Sequence, residues 1–360
     1  MRVADLNQAV VDTTVQEKAA AFPTDAKLAH RARERLVRLA KRHGVRLRQS
    51  YARVGKFALI KHQRYAHARQ FKRARRSLRT LKTYLGRVMR DIERAILRQP
   101  SLNAVFRRQL YLAGRVLNQK RAGRGHKIYS LHAPEVECIG KGTAHKPYEF
   151  GVKISVATTL KRSSGGQFVL HAKALPGNPY DGHTLASVIP AIEKTTGATL
   201  SRILADAGYR GHNAPASHKM RIYTAGQKRG ITPAIKKIMK RRAAIETVIG
   251  HRKQDHRMGR NHLAHAAGDA TNAVLAAAGY NFRRILAWLR LLLVWIACTL
   301  GASRPPADLL DLNLLHGRLF IAVGISCPRT AFRTASARRP LNVTASSKTQ
   351  LRRRDQVITG

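Results

Sequence analysis

The chain has 360 residues, with 68 Lys and Arg against 19 Asp and Glu and a formal charge of +49, which implies a polyanionic partner because each phosphate neutralised by a cation releases condensed counterions. A hydrophobic content of 44% is enough for one large or two modest cores, so the chain is no mere basic tail. Met1 to Thr14 carries Asp5 and Asp12 and reads as no secretory signal, and the strongest apolar run, Leu291 to Ala302, falls short of the roughly 20 residues that span a bilayer.

Ala9 to Val15 has the β-branched density of a buried strand and places Asp12 within it. Helical spacing predicts helices from Ala26 to Gly44, from about Arg64 to Leu97, and, after Pro100-Ser101, on to Lys120. This basic block reads first as solvated helix faces packed on one another, ahead of a specific DNA-reading element. From Lys127 the pattern turns to strands: Ile128 to His132, Tyr148 to Thr159 and Gln167 to Leu175. A helix at about Thr184 to Lys194, strands at Leu200 to Asp206 and Met220 to Thr224, a long helix opened by Pro233, and a last helix from Asp269 to about Leu293 complete the ordered part. Ser303 to Gly360 has no steady period and is expected to be disordered. The resulting division is 1–16, a first strand; 17–125, a basic helical block; 126–295, a mixed strand and helix region; and 296–360, a tail.

The long helix carries Arg242, Glu246 and Lys253, which at 100° per residue point within about 40° of one another, beside a stripe of Ile238, Ile245 and Ile249. Alone, that spacing is more often an i,i+4 surface pair. Combined with Asp12 in a strand and Asp206 at a strand end, Glu246 completes three hard oxygen ligands suited to two Mg2+ or Mn2+ ions. Two such carboxylates about 4 Å apart repel by roughly 4 kcal/mol at an effective dielectric of 20, which metal relieves.

Other residues were weighed against plainer roles. Asp181 and His183 follow the tight bend Pro176-Gly177-Asn178-Pro179 and read as a turn acid and a surface histidine. His251 and His256 read as solvated or phosphate-facing, and Glu135 and Glu137 as acids of a solvated turn. Lys141, Lys146, Arg210 and Arg257 are candidate phosphate contacts. Cys138, Cys298 and Cys327 are widely spaced and suggest neither a disulfide frame nor a zinc site, which fits a reducing cytosol.

Val11-Asp12-Thr13-Thr14-Val15, the segment Asp206-Ala207-Gly208-Tyr209-Arg210-Gly211 and the Arg242-x3-Glu246-x6-Lys253 helix resemble the acid triad of bacterial DDE transposases of the insertion-sequence-five type, over about residues 8 to 295. His145 to Gly151, Ala174 to His183 and His256 to Asn261 are similar too. The resemblance implies an α/β, RNase-H-like mixed sheet flanked by helices, with the basic helical block inserted after the first strand. It implies that Asp12, Asp206 and Glu246 hold two Mg2+ or Mn2+ ions, that Arg242 and Lys253 contact double-stranded DNA, and that the partners are terminal inverted repeats and target DNA. A homodimer in the cytoplasm, associated with the nucleoid and not with a membrane, goes with that reading.

Three departures qualify it. Met239 stands where the family has Tyr, only eleven residues precede Asp12, and the family likeness stops at about Ala297. These suggest a decayed copy, truncated in front and frameshifted behind. The alternative is a catalytically silent remnant that binds nucleic acid through its basic surface alone.

Overall fold

In the computed structural model, which describes residues 5–120, 123, 125–142, 144–161 and 167–299, strand β1 (Gln8–Glu17) lies at the centre of a mixed sheet. Its neighbours are β3 (Tyr148–Thr159), antiparallel from Ala9 opposite Thr159 to Glu17 opposite Gly151, and β5 (Arg202–Ala205), parallel with Val11 opposite Ala205. Beyond β3 lie β2 (Glu137–Gly140) and β4 (Val169–Leu175), and beyond β5 lies the parallel β6 (Ile222–Thr224). Ala9, Val10 and Val11 are each fully buried, as an unbroken apolar run in a strand covered on both faces should be.

Alternation along β1 assigns its residues to two cores. Val10 joins Ile154, Val156 and Leu204 under Ile245 and Val248 of α7 (Ala244–Asp255) and Ala273 and Tyr280 of α8 (His265–Thr299). Ala9 and Val11 face the other way, onto Leu185 and Ile189 of α5 (Leu185–Thr196) and onto Tyr209. Asp12 therefore belongs to the α7 face and Thr13 to the α5 face.

Between β1 and β2 the chain forms α1 (Asp25–Arg42), α2 (Ala52–His67), α3 (Phe71–Arg98) and α4 (Leu102–Asn118) around a core of Leu36, Leu81, Leu85, Ile92, Phe106 and Val116. Thr24 caps α1 by accepting from the Lys27 amide. The helix expected as one piece from Arg64 to Leu97 is two, because Arg69 takes a left-handed φ of 56° and α3 turns back to pack on α2. No Gly or Pro announces that break.

Ile128 to His132, expected as a strand, is irregular. Ile128 and Leu131 are buried in the helical core, and backbone groups here bond side chains: the Ile128 amide donates to Gln119 Oε1 at 3.1 Å, and the Leu131 carbonyl accepts from Arg35 at 2.8 Å. The strand lies at β2 instead, so Glu137 is a sheet residue that accepts from the Gly177 amide, and not a solvated turn acid. The long helix from Pro233 is also interrupted, running as α6 (Pro233–Met239), one tighter 3-10 turn (Lys240–Ala243) and then α7. The described residues through Trp295 make one compact unit, and the last residues of α8 fall in a second. The disorder expected from Ser303 to Gly360 lies outside the described residues, and residues 296–299 of the expected tail continue α8. Among the described residues no helix is long and apolar enough to cross a membrane.

Gly151 is where the central pair is least forgiving. A Cβ there would sit 1.8 Å from the Gln16 carbonyl oxygen and 2.7 Å from its carbon, both fixed by the sheet. Gly151→Ala is expected to cost at least about 3 kcal/mol, the upper end for overpacking, in urea unfolding. A loss under about 1 kcal/mol would mean that β1 and β3 do not meet in this register.

Candidate active site

The pairing of β1 with β5 is what brings the first two acids together. With Val11 opposite Ala205, the next residues along these parallel strands are Asp12 and Asp206, on neighbouring strands roughly 4.8 Å apart. Asp12 is half-buried. Burial first, then the charges of Asp206 and Asp181, raise its pKa to about 6, against the Thr13 amide and Arg242, which pull it down. The Thr13 amide donates to Asp12 Oδ1 at 2.8 Å.

Arg242 is the hub of the cluster. The tight turn before α7 aims its guanidinium at Asp206, 3.4 Å from Oδ1, while its second nitrogen lies 3.8 Å from Glu246 Oε1. The Glu246 side chain is 65% exposed and that of Asp206 48%, so both are more open to solvent than the half-buried Asp12. The structure thus gathers Asp12, Asp206 and Arg242, and joins Glu246 to them through Arg242. Among the described residues no three His, Cys, Asp or Glu side chains converge closely enough to enclose a metal ion.

Lys253 lies elsewhere. Eleven residues past Arg242 it is about 16 Å along the helix, matching the roughly 17 Å from Asp12 to Glu17 on β1, against which α7 packs. There its ammonium is 3.6 Å from Glu149, which also receives Lys141 at 3.7 Å and Lys146 at 3.4 Å, and Lys146 pairs in addition with Glu17. Arg242, Glu246 and Lys253 therefore do not form one local group. Arg210 and Arg257 are exposed, Arg210 just beyond Asp206 and Arg257 in a left-handed turn after α7.

Asp181 was passed over as a turn acid, yet it lies in the site. Its Oδ1 accepts from the Thr13 hydroxyl and from Lys153 Nζ, each at 2.9 Å, and a Cβ on Gly208 would come within 3.1 Å of its Oδ2. Tyr180 fastens the same loop by donating its hydroxyl to the Arg210 carbonyl at 2.8 Å. Tyr209 is fully buried; burial and the charges of Asp12 and Asp181 hold its phenol well above the usual range and keep it neutral. The signal that could have found Asp181 was its place in the Ala174 to His183 segment. His251, by contrast, pairs with Asp255 at 3.1 Å on an exposed face, and His256 packs edge-on to Tyr280.

The donor set is hard carboxylate oxygen, which suits Mg2+ or Mn2+. A half-buried acid facing two others, with its pKa raised to about 6, is one whose charged form is poorly accommodated until a cation arrives. The chemistry of these donors fits a divalent ion, although the three carboxylates are not gathered around one point.

Residues 116–282 match the family model described as "Transposase DDE domain". The matched span contains Asp206 and Glu246, and β1 with Asp12 precedes it. A curated relative from Rhizobium meliloti, described as an uncharacterized protein, ORF8 in the nfe locus, is 56% identical over 70 residues, 19% of this chain and 34% of that protein. The chain thus spans about a third of the length of the curated relative it matches. No solved structure matches.

Proposed function

We propose that this chain, which carries a transposase DDE domain across residues 116–282, cuts DNA at the terminal inverted repeats of a mobile element and transfers the freed 3′ end to target DNA. The match to a DDE domain supports transposition, and hence DNA recombination, as its general role. The observation carrying the finer reading is the register of Val11 with Ala205, which sets Asp12 beside Asp206 with Arg242 linking Asp206 to Glu246. The sheet order supports an RNase-H-like architecture: a central first strand antiparallel to one neighbour and parallel to the other, with acids on the first strand and just after β5. We further read the chain as of the insertion-sequence-five type, acting as a homodimer.

Asp12 and Asp206 would hold two Mg2+ or Mn2+ ions, with Glu246 completing the set. When bound, such ions activate the attacking oxygen and steady the leaving one. The protein's own part is arrangement. Arg242, ion-paired to Asp206 and Glu246 without metal, holds a positive charge where a scissile phosphate would lie, and cations taking over the acids would free it to bind a non-bridging phosphate oxygen. The neutral, buried Tyr209 closes the other face of β1, against Ala9 and Val11. Lys253, about 16 Å along α7, would meet phosphates farther down the strand.

The test is strand nicking by the purified full chain on a labelled duplex carrying the inverted repeat that flanks its own gene, with Mg2+ or Mn2+. Cleavage at the repeat end is expected, with Asp206→Asn lowering its rate about a thousandfold or more, as loss of several kcal/mol of transition-state stabilisation requires. Salt-sensitive binding with no metal-dependent cleavage would replace this reading with that of a nucleic-acid-binding remnant.

A further inference from the structure

We propose that the outward face of α3 is a docking surface for the backbone of double-stranded DNA. The inference extends the DNA reading above to a second surface, remote from the acids, and does not depend on cleavage. Lys72, Arg76, Arg79, Arg87, Arg90 and Arg98 fall at spacings of four, three, eight, three and eight residues, and all six are exposed. At 100° per residue they lie within an arc of about 100°. The residues α3 buries, Ala74, Leu81, Leu85, Val88 and Ile92, centre about 160° away, so the cationic stripe faces directly outward.

An ordinary solvated helix face mixes signs, with acids placed to pair with bases at i+3 or i+4. This one does not. The two acids of α3 are Asp91, which is buried and occupied with Arg94 and Arg48, and Glu93, which stands about 90° round from the stripe's centre. None of the six cations has a carboxylate partner among the described residues. Arg87 is held in place over the Tyr51 ring at 5.9 Å, which fixes the middle of the row while leaving its charge unneutralised. From Lys72 to Arg98 the stripe is about 39 Å long, a little more than one turn of duplex DNA, which carries one phosphate per 3.4 Å on each strand. Six uncompensated like charges held in a rigid row of that length repel one another unless a polyanion of matching reach covers them.

The experiment measures binding of the full chain to a random-sequence duplex of about 30 base pairs by fluorescence anisotropy across a range of NaCl. The stripe variant is R76Q/R79Q/R87Q/R90Q, and the charge-matched control is K194Q/K219Q/K228Q/R229Q on other elements. Arg and Gln have similar helix propensity, and circular dichroism checks that the fold is kept. At about 0.9 in log–log salt slope per phosphate contact, the stripe variant should lose about 3 in slope and the control less than about 1. An equal loss in both, or none in either, overturns the proposal. The Lys version of the same four positions should keep the slope; if it behaves as the Gln version does, the effect is on the fold and the surface is not the binding site. A duplex RNA that competes more strongly than the DNA also overturns it. Failure of metal-dependent cleavage with the stripe effect intact would remove the catalytic reading and leave this surface standing.

Discussion

Asp12→Asn is expected to abolish metal-dependent cleavage and, in the same molecule, to raise the stability of the metal-free protein at pH 8. The two effects share one cause. A carboxylate half-buried beside Asp206 and Asp181, its pKa raised from 3.8 to about 6, is better accommodated protonated than charged. For an acid raised in the folded state, the favourable contribution is full below about pH 4 and is lost as pH rises through about 6. The shift of about two units corresponds to about 3 kcal/mol lost at pH 8, which Asn, a neutral imitation of the protonated acid, does not lose. Thermal melts in EDTA should therefore show the variant several degrees above wild type at pH 8, the gap closing toward pH 4. Mn2+ should raise the melting temperature of the wild type and leave the variant unmoved. A gap independent of pH would mean that Asp12 is no strained acid and would remove the physical case for a cation beside it.

What could be read in the sequence was what depends on short-range pattern. β1 and β3 are rich in β-branched residues and β5 is a short apolar run, each bounded by polar turns, and their positions follow from that alone. Three of the four basic helices, α1, α3 and α4, were legible from helical spacing, but most of α2 and the reversal at Arg69 were not, the reversal because it is imposed by α3 packing on α2 and by no residue with a backbone preference. The site divides similarly. Asp12, Asp206 and Glu246 stood out because acids are rare here, while the register that joins the first two arises between segments about 190 positions apart. Asp181 carried the opposite difficulty: Pro176 to Pro179 does make a bend, and only the folded chain sets its acid on Thr13 and Lys153. The His256 to Asn261 segment stood out only as similar to the family, and much of it serves packing. Met258 is fully buried, a Cβ on Gly259 would meet the Lys253 carbonyl at 2.9 Å, and Asn261 lies inside an ionic cluster.

That cluster gives the second large expected effect, Asp269→Ala. Lys18, at the end of β1, puts its ammonium 2.8 Å from Asp269 and 3.1 Å from Glu135, with the Lys18 side chain 2% exposed and that of Asp269 8%. Asn261 donates to the same Asp269 oxygen at 2.6 Å, and the Asp269 carbonyl accepts from Gln16 at 2.9 Å. These bonds tie the far end of β1 to the N-terminal part of α8. Removing the acid leaves a desolvated ammonium with only the half-open Glu135 beside it, so a loss of about 3–5 kcal/mol is expected in urea unfolding. Replacing both charges, as Lys18→Met with Asp269→Leu, removes the attraction and the desolvation together and should return most of that loss, giving a coupling of about 2 kcal/mol or more. A cost below about 1 kcal/mol for Asp269→Ala would show the cluster open to water. Because Lys18 is six residues from Asp12, roughly 20 Å along the strand, the double variant should bind divalent ions as the wild type does. Stability and the acid site would then be separable along β1, one held at each end.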